Sequence, residues 1–173
     1  MNKRLIILLV SINILIAAGI IIYIESTRTK TYYIDLNKVY SEFELKKELE
    51  KKLEAMISIT KEHLDSLEMQ ARTINNSIQE SPTDQMKIRE YNLLSERYAA
   101  KSEEFDFQKK KVAEEYDQQV WAQLNEYIRE YGKEKNCDFI IAGNGDGSIM
   151  YAEATKDITD KMILYVNDKY QGK

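Results

Sequence analysis

Ile57–Ile78, ISITKEHLDSLEMQARTINNSI, carries an uninterrupted heptad pattern. Its apolar and small residues recur alternately three and four positions apart, the spacing of a coiled-coil seam rather than of the broader face of a globular helix. These residues are Ile57, Thr60, Leu64, Leu67, Ala71, Ile74 and Ile78. The pattern predicts one long helix over residues 41–78, with either Asn37 or Ser41 as its N-terminal cap.

A second long helix follows a chain reversal near Ile78–Pro82. Ser81 has the character of a helix cap and Pro82 suits the first helical position. The stripe of the second helix is weaker, because Lys101 and Gln108 interrupt it. We expect this helix to run to about Asn136 over about 50 residues, and the two helices to form an antiparallel arm.

Short strands are predicted on both sides of this arm. Residues 32–36 (YYIDL) precede it, and residues 137–142 (CDFIIA) follow it. A Gly-rich turn over 143–147 leads into a third predicted strand, 148–152, and residues 157–170 predict a last helix capped by Asp157 or Thr159. Three short strands cannot close a core alone, so we expect other copies of the chain to complete the sheet.

The N-terminus predicts a membrane anchor. Leu5–Ile24 is uncharged and long enough to span a bilayer, and the cations Lys3 and Arg4 precede it. This places residues 1–4 in the cytoplasm and the rest of the chain outside it. A cleaved signal peptide, with a site near Ala17–Gly19, is the alternative that would leave a soluble periplasmic protein.

No pattern in the chain indicates catalysis. The single histidine, His63, has no second histidine with which to bind a metal, and the carboxylates alternate with lysines on solvated helix flanks. Lys109–Lys111 has acidic neighbours, which argues against nucleic-acid binding. Cys137, the only cysteine, is interpreted as a small buried side chain beside a strand. We expect no enzyme activity, cofactor, metal or small-molecule substrate.

The soluble part resembles the Skp/OmpH family of periplasmic chaperones. The resemblance lies in Tyr33–Val39, in Asp138–Ile141 and Ile149–Ala152 on either side of the turn, and in Asp157–Asp160 leading into a helix that holds Asn167. It implies a homotrimer in which a small β body carries three helical arms around a cavity for unfolded outer-membrane proteins. Two features depart from the family: the apparent anchor, and a net charge of −4 where well-known members are basic.

We therefore predict an α+β protein, mostly α, with a long antiparallel coiled-coil arm inserted in a small β body, trimeric and with an N-terminal transmembrane helix. The predicted divisions are a cytoplasmic N-terminus (1–4), a transmembrane signal-anchor (5–24), a stalk (25–31), a β/α trimerisation body (32–39 and 137–173) and the arm (40–136).

The predicted function is that of a holdase, which binds unfolded outer-membrane or exported proteins in the periplasm and prevents their aggregation. The alternative is a membrane-tethered coiled-coil structural or assembly factor that grips one folded partner of an envelope complex. Aromatic residues of the second helix are the candidate client contacts: Tyr91, Tyr98, Phe105, Phe107 and Tyr116. Of these, Phe107 lies off the seam, whereas each of the others has packing within the arm as its simpler interpretation.

Overall fold

A computed structural model describes residues 11–20, 23, 28–144, 147 and 149–173. Two long helices dominate it, and the shorter elements gather at one end. The elements are β1 (Thr31–Asp35), α1 (Leu36–Glu42), α2 (Glu44–Glu80), α3 (Gln85–Glu134), β2 (Phe139–Gly143), a single 3₁₀ turn (Ala154–Lys156) and α4 (Thr159–Tyr170).

The two strands lie on opposite sides of the long helices in the sequence and pair in parallel. Thr31 lies opposite Phe139, and Asp35 lies opposite Gly143. A parallel pair needs a long crossover, and here the crossover is the whole arm. The prediction that the two ends of the chain meet in one sheet is confirmed.

The core of the body forms where α4 packs beneath the sheet and the base of the arm. One face of α4 is buried, as its apolar spacing predicts. The fully buried side chains of this core include Ile34, Val39, Phe43, Val120, Leu124, Met162 and Val166.

Thr159 ties the two chain ends together within this core. Its hydroxyl accepts a hydrogen bond from the Asp35 backbone N–H at 2.9 Å and donates one to the Asp157 carboxylate at 2.5 Å. The Thr159 backbone N–H also donates to Asp157 at 2.8 Å. Ile158 occupies the N-cap position of α4 and Thr159 is its first helical residue, so both predicted caps, Asp157 and Thr159, are wrong. Asp157, one residue before the cap, accepts the two hydrogen bonds from Thr159 at the start of the helix.

The first long helix is broken where the sequence predicts continuity. Phe43 has an extended backbone, with φ −70° and ψ 123°, and separates α1 from α2. Its ring is fully buried, between Tyr127 and Tyr170 in edge-to-face contacts. Burial of this ring favours the break. The predicted caps Asn37 and Ser41 are wrong, because Asp35 caps α1 through the Lys38 N–H.

The turn between the long helices also starts later than predicted. Ser81 ends α2 and does not cap α3. The cap of α3 is Asp84, whose carboxylate accepts from the backbone N–H groups of Met86 and Lys87 at 3.0 and 3.3 Å. The negative charge of the Asp84 carboxylate also interacts favourably with the positive N-terminal end of the helix dipole. The uncharged hydroxyl of Ser81 would lack this interaction.

The predicted third strand is not formed. Ile149–Ala152 has no strand conformation, and Met150 and Tyr151 are 89% and 87% exposed. A strand requires a hydrogen-bonded neighbour, and within the described chain this segment has none. The turn predicted over 143–147 lies partly outside the described residues, since Gly145 and Asp146 are not described, and Gly143 is the last residue of β2. Gly147 does adopt the predicted positive φ, at +89°.

Most of the predicted anchor lies outside the described residues. Of the segment 5–24, only residues 11–20 and 23 are described, and they are helical. The described parts of the chain contain no helix with the length and apolarity needed to cross a membrane.

Candidate functional site: the two-helix arm

The arm consists of α2, α3 and the turn between them, residues 44–134, and it is firmly packed only at its base. There Leu45 and Leu49 of α2 are buried together with Val120 and Leu124 of α3. These side chains belong to the same cluster as the body core. The base of the arm and the body thus form one packed unit.

An aromatic contact reinforces the base. The ring of Tyr40 stacks on Trp121, with centroids 4.6 Å apart. The Tyr40 hydroxyl donates a hydrogen bond to the Asp117 carboxylate, and the Lys46 ammonium lies 5.5 Å from the Tyr40 ring centre. Burial, followed by the hydrogen bond to Asp117, raises the pKa of Tyr40 well above its usual range. The hydroxyl therefore stays protonated and keeps α1 joined to α3.

Beyond the base the packing becomes thin. Within α2 and α3, all of which is described, Leu64 and Leu94 are the only buried side chains between Leu49 and Val120, and each is 8% exposed. Lys101 and Gln108, which interrupt the predicted seam, are both exposed. An arm held by partly buried contacts over about 50 Å has little local stability and adapts its shape at low cost.

The five predicted client contacts are spread along α3 and do not form one pocket. Tyr91, Tyr98, Phe105 and Tyr116 are half-buried, whereas Phe107 is 65% exposed. The 25 positions from Tyr91 to Tyr116 cover about 38 Å of helix. Tyr116 lies beside a small groove, about 190 Å³ in volume, at the base of the arm.

Further exposed apolar side chains of the arm were missed at the sequence level. Ile59 and Met69 on α2 are 70% and 69% exposed, and Leu93 on α3 is 48% exposed. Met69 and Leu93 line one open groove of about 500 Å³ across the two helices, and Ile59 lines another of about 480 Å³. All three are apolar residues that lie off the heptad seam. The criterion that singled out Phe107, an apolar residue outside the seam, would therefore have found them.

The polar side chains of the arm form a solvated surface. Lysine–glutamate and arginine–glutamate pairs at i,i+3 and i,i+4 spacing run along both helices, with side chains largely exposed. Pairs of this kind add little stability but keep a helix soluble. In the described part of the chain, no three His, Cys, Asp or Glu side chains are grouped to hold a metal ion.

Cys137 is half-buried just before β2 and packs against the body core. Burial raises the pKa of its thiol. A thiol with a raised pKa is a poor nucleophile at neutral pH, so the geometry agrees with the structural interpretation of this cysteine.

The body also has several exposed apolar side chains, which we together call the body face. It consists of exposed apolar side chains from β2, from the segment after it and from α4: Phe139, Ile141, Met150, Tyr151 and Leu164. Exposed apolar side chains on a body with a two-stranded sheet are typical of a surface that another chain covers.

Comparisons with known proteins agree with this architecture. A family model described as outer membrane protein (OmpH-like) matches residues 30–165. The fold is similar to a crystal structure from Caulobacter crescentus CB15 assigned as an OmpH-like outer membrane chaperone, with a TM-score of 0.70. That match covers 83% of this chain and 86% of the other at 11% sequence identity, so it shows the fold alone. No curated protein matches the chain. Because the family model spans the arm and nearly all of the body, the chain belongs to the OmpH-like family.

Proposed function

We propose that this protein is a holdase: it binds unfolded outer-membrane or exported proteins in the periplasm and keeps them from aggregating, without catalysis. OmpH-like proteins are periplasmic chaperones of outer membrane proteins. The observation that carries the proposal is the arm itself, which is long, thinly packed and lined with exposed apolar side chains.

Distributed contacts suit an unfolded client. Met69 and Leu93 line one groove, Ile59 lines another, and Phe107 is exposed elsewhere on the arm. Each contact is worth little, but many contacts to one flexible chain act together and raise the overall affinity. An unfolded chain held in this way keeps its mobility and is released without an energy source.

A trimer is the second part of the proposal. The body face exposes apolar side chains, and the sheet has only two strands, which are marginal on their own. Ile149–Ala152 becomes a strand when it pairs with the sheet of a neighbouring copy, which supplies the partner that it lacks within one chain. Three bodies joined in this manner would carry three arms around a shared cavity.

Anchoring is the third part. The uncharged segment 5–24 would hold the body at the periplasmic side of the inner membrane. A chain cleaved near Ala17–Gly19 would instead act as a soluble periplasmic protein. Extraction of membranes at alkaline pH separates these outcomes, since only an inserted chain stays in the lipid fraction.

The direct test uses the full chain in lipid nanodiscs. A urea-denatured outer-membrane β-barrel protein is diluted into buffer, and light scattering follows its aggregation, with empty nanodiscs as the control. We expect suppression to saturate near one client per three chains. If scattering is unchanged while the chain pulls down one folded envelope protein at a fixed ratio, the chain is an assembly factor and not a holdase.

A further inference from the structure

Both strands begin at one end of the body, which we call the stalk end: residues 28–30 and 133–138. The Lys30 carbonyl accepts hydrogen bonds from the backbone N–H groups of Asp138 and Phe139 at 3.0 and 3.4 Å. The Lys30 N–H donates to the Asp138 carboxylate at 2.6 Å. Lys30, a residue of the stalk, is thereby fixed beside the segment that follows α3.

The stalk end lies opposite the tip of the arm. Helix α3 runs from Gln85 at the tip to Glu134 at the stalk end, 50 residues or about 75 Å. A chain anchored through residues 5–24 therefore has its stalk end next to the bilayer, and its arm points away from it.

Positive charge is concentrated at the stalk end. Lys30, Lys133 and Lys135 are exposed, and none of them forms an ion pair with the described residues. Lys133 also lines an open groove of about 610 Å³ with Arg129.

The carboxylates of this region are already engaged. Asp138 accepts from the Lys30 N–H, and Glu130 and Glu134 both pair with Lys169, at 3.2 and 3.0 Å. Residues 28–30 and 133–138 nevertheless carry four cationic side chains against two carboxylates, Glu134 and Asp138, and this excess of positive charge attracts an external anion. The arm, residues 44–134, in contrast has a net negative charge.

We propose that the stalk end binds the anionic phospholipid headgroups of the membrane that holds the anchor. The lysines would hold the body against the bilayer, and the acidic arm would be repelled from it, so that the arm stands upright. This inference rests on the proposed anchoring. The stalk, residues 25–31, reaches at most about 25 Å. A fully extended stalk would therefore hold the lysines beyond the roughly 8 Å over which charges act at physiological salt, whereas lysines bound to headgroups would lie within that distance.

Trp121 is the only tryptophan of the chain, and its fluorescence reports the distance of the body from the bilayer surface. It lies on α3 about 18 Å from Lys133. Energy transfer from Trp121 to dansyl-labelled headgroups falls steeply with distance. The transfer efficiency therefore distinguishes a body that contacts the bilayer surface from a body held away from it by an extended stalk.

The experiment places the full chain in vesicles of phosphatidylcholine alone or with phosphatidylglycerol. We expect more transfer on anionic vesicles, with the difference lost at about 1 M salt, where screening acts within 3 Å. Lys133→Gln with Lys135→Gln, which removes two of the three lysines, should greatly reduce the lipid dependence. Lys109→Gln with Lys110→Gln, the same loss of charge on the arm, should preserve it. Circular dichroism checks that both variants are folded.

The outcomes separate the two proposals. If alkaline extraction releases the chain from the vesicles, anchoring fails and this inference fails with it. If the chain stays inserted but transfer is the same on neutral and anionic vesicles, only the inference is overturned. An equal effect of both double variants also overturns it, because the stalk end would then have no special role.

Discussion

Asn167 is the residue that joins the arm to the body across the break at Phe43. Its side-chain oxygen accepts from the Glu44 backbone N–H at 2.9 Å, and its amide donates to the Glu42 carbonyl at 3.1 Å. Both backbone groups lack a helical partner because the helix is interrupted between them. One side chain of α4 thus satisfies both sides of the break.

Replacing Asn167 by Ala should destabilise the protein by about 1–3 kcal/mol, because a donor and an acceptor at the break lose their partners. Asn125→Ala is the matched control, since Asn125 is an exposed helical asparagine and gains the same helix propensity. Urea unfolding measures both. Equal stabilities of the two variants would show that Asn167 does not hold the junction.

Two glycines should respond in opposite directions to the same substitution. Gly147 has a φ of +89°, so Ala there is strained and should destabilise by about 1 kcal/mol. Gly132 lies within α3, where an added Cβ would be 3.6 Å from the Ile140 side chain, an ordinary contact. Gly132→Ala should therefore stabilise by about 0.5–1 kcal/mol. Thermal unfolding compares the pair, and a shift of the same sign in both would contradict this account.

At the scale of elements, the start of α4 depends on an ionised carboxylate. The Thr159 hydroxyl and backbone N–H both donate to Asp157, and these hydrogen bonds hold the pKa of Asp157 below its ordinary value. A carboxyl with a lowered folded-state pKa contributes stability at pH values above its unfolded-state pKa. That stability is lost as the pH falls through the folded-state value.

Asp157→Asn should therefore lower stability at pH 7 by about 1 kcal/mol, and its difference from the native chain should shrink as the pH falls below about 4. Asp106→Asn, which removes the same charge from the exposed arm, should show no such convergence. Urea midpoints between pH 7 and pH 3 provide the measurement. A difference that is constant with pH would mean that the ionised carboxylate is not what stabilises α4.

The elements differ in how far local sequence determines them. The arm could be predicted because its heptad spacing is local, and the meeting of the strands follows from the arm returning the chain. The break at Phe43 could not be predicted, because neither Pro nor Gly marks it in the sequence. Its cause is the burial of the Phe43 ring against Tyr127 and Tyr170, which are distant in the sequence. The strand predicted at 148–152 depends on a neighbour that one chain does not supply. The exposed apolar side chains of the arm were predicted only in part, because exposure off the seam was considered for Phe107 and not for Ile59 or Met69.

At the scale of the whole molecule, the body face should join three chains. Tyr151 is 87% exposed in one chain, so Tyr151→Lys should leave the single chain stable but disrupt assembly by placing a charge in the interface. Met86→Lys, at an 81% exposed position near the arm tip, is the control. Light scattering should give about three times the chain mass of 20.3 kDa for the control and a smaller mass for Tyr151→Lys. A native chain that stays monomeric at micromolar concentration would refute the trimer.

The arm can be shortened without disturbing the body. Leu53 and Tyr116 line the same groove, so the two helices are level near this point. Residues 57–112 can be replaced by a short turn that joins Met56 to Ala113. Val120 is 2% exposed and belongs to the body core, so a deletion that reached it would also damage the body.

The shortened chain tests the central claim, that the arms hold the client collectively. Aggregation of a diluted, denatured β-barrel protein is followed with the native chain, the shortened chain, Tyr98→Ala or Phe107→Ala present. We predict that the shortened chain still trimerises but gives no protection, while each point variant protects nearly as well as the native chain, because each of many weak contacts contributes little. Protection by the shortened chain equal to that of the native chain would contradict the account.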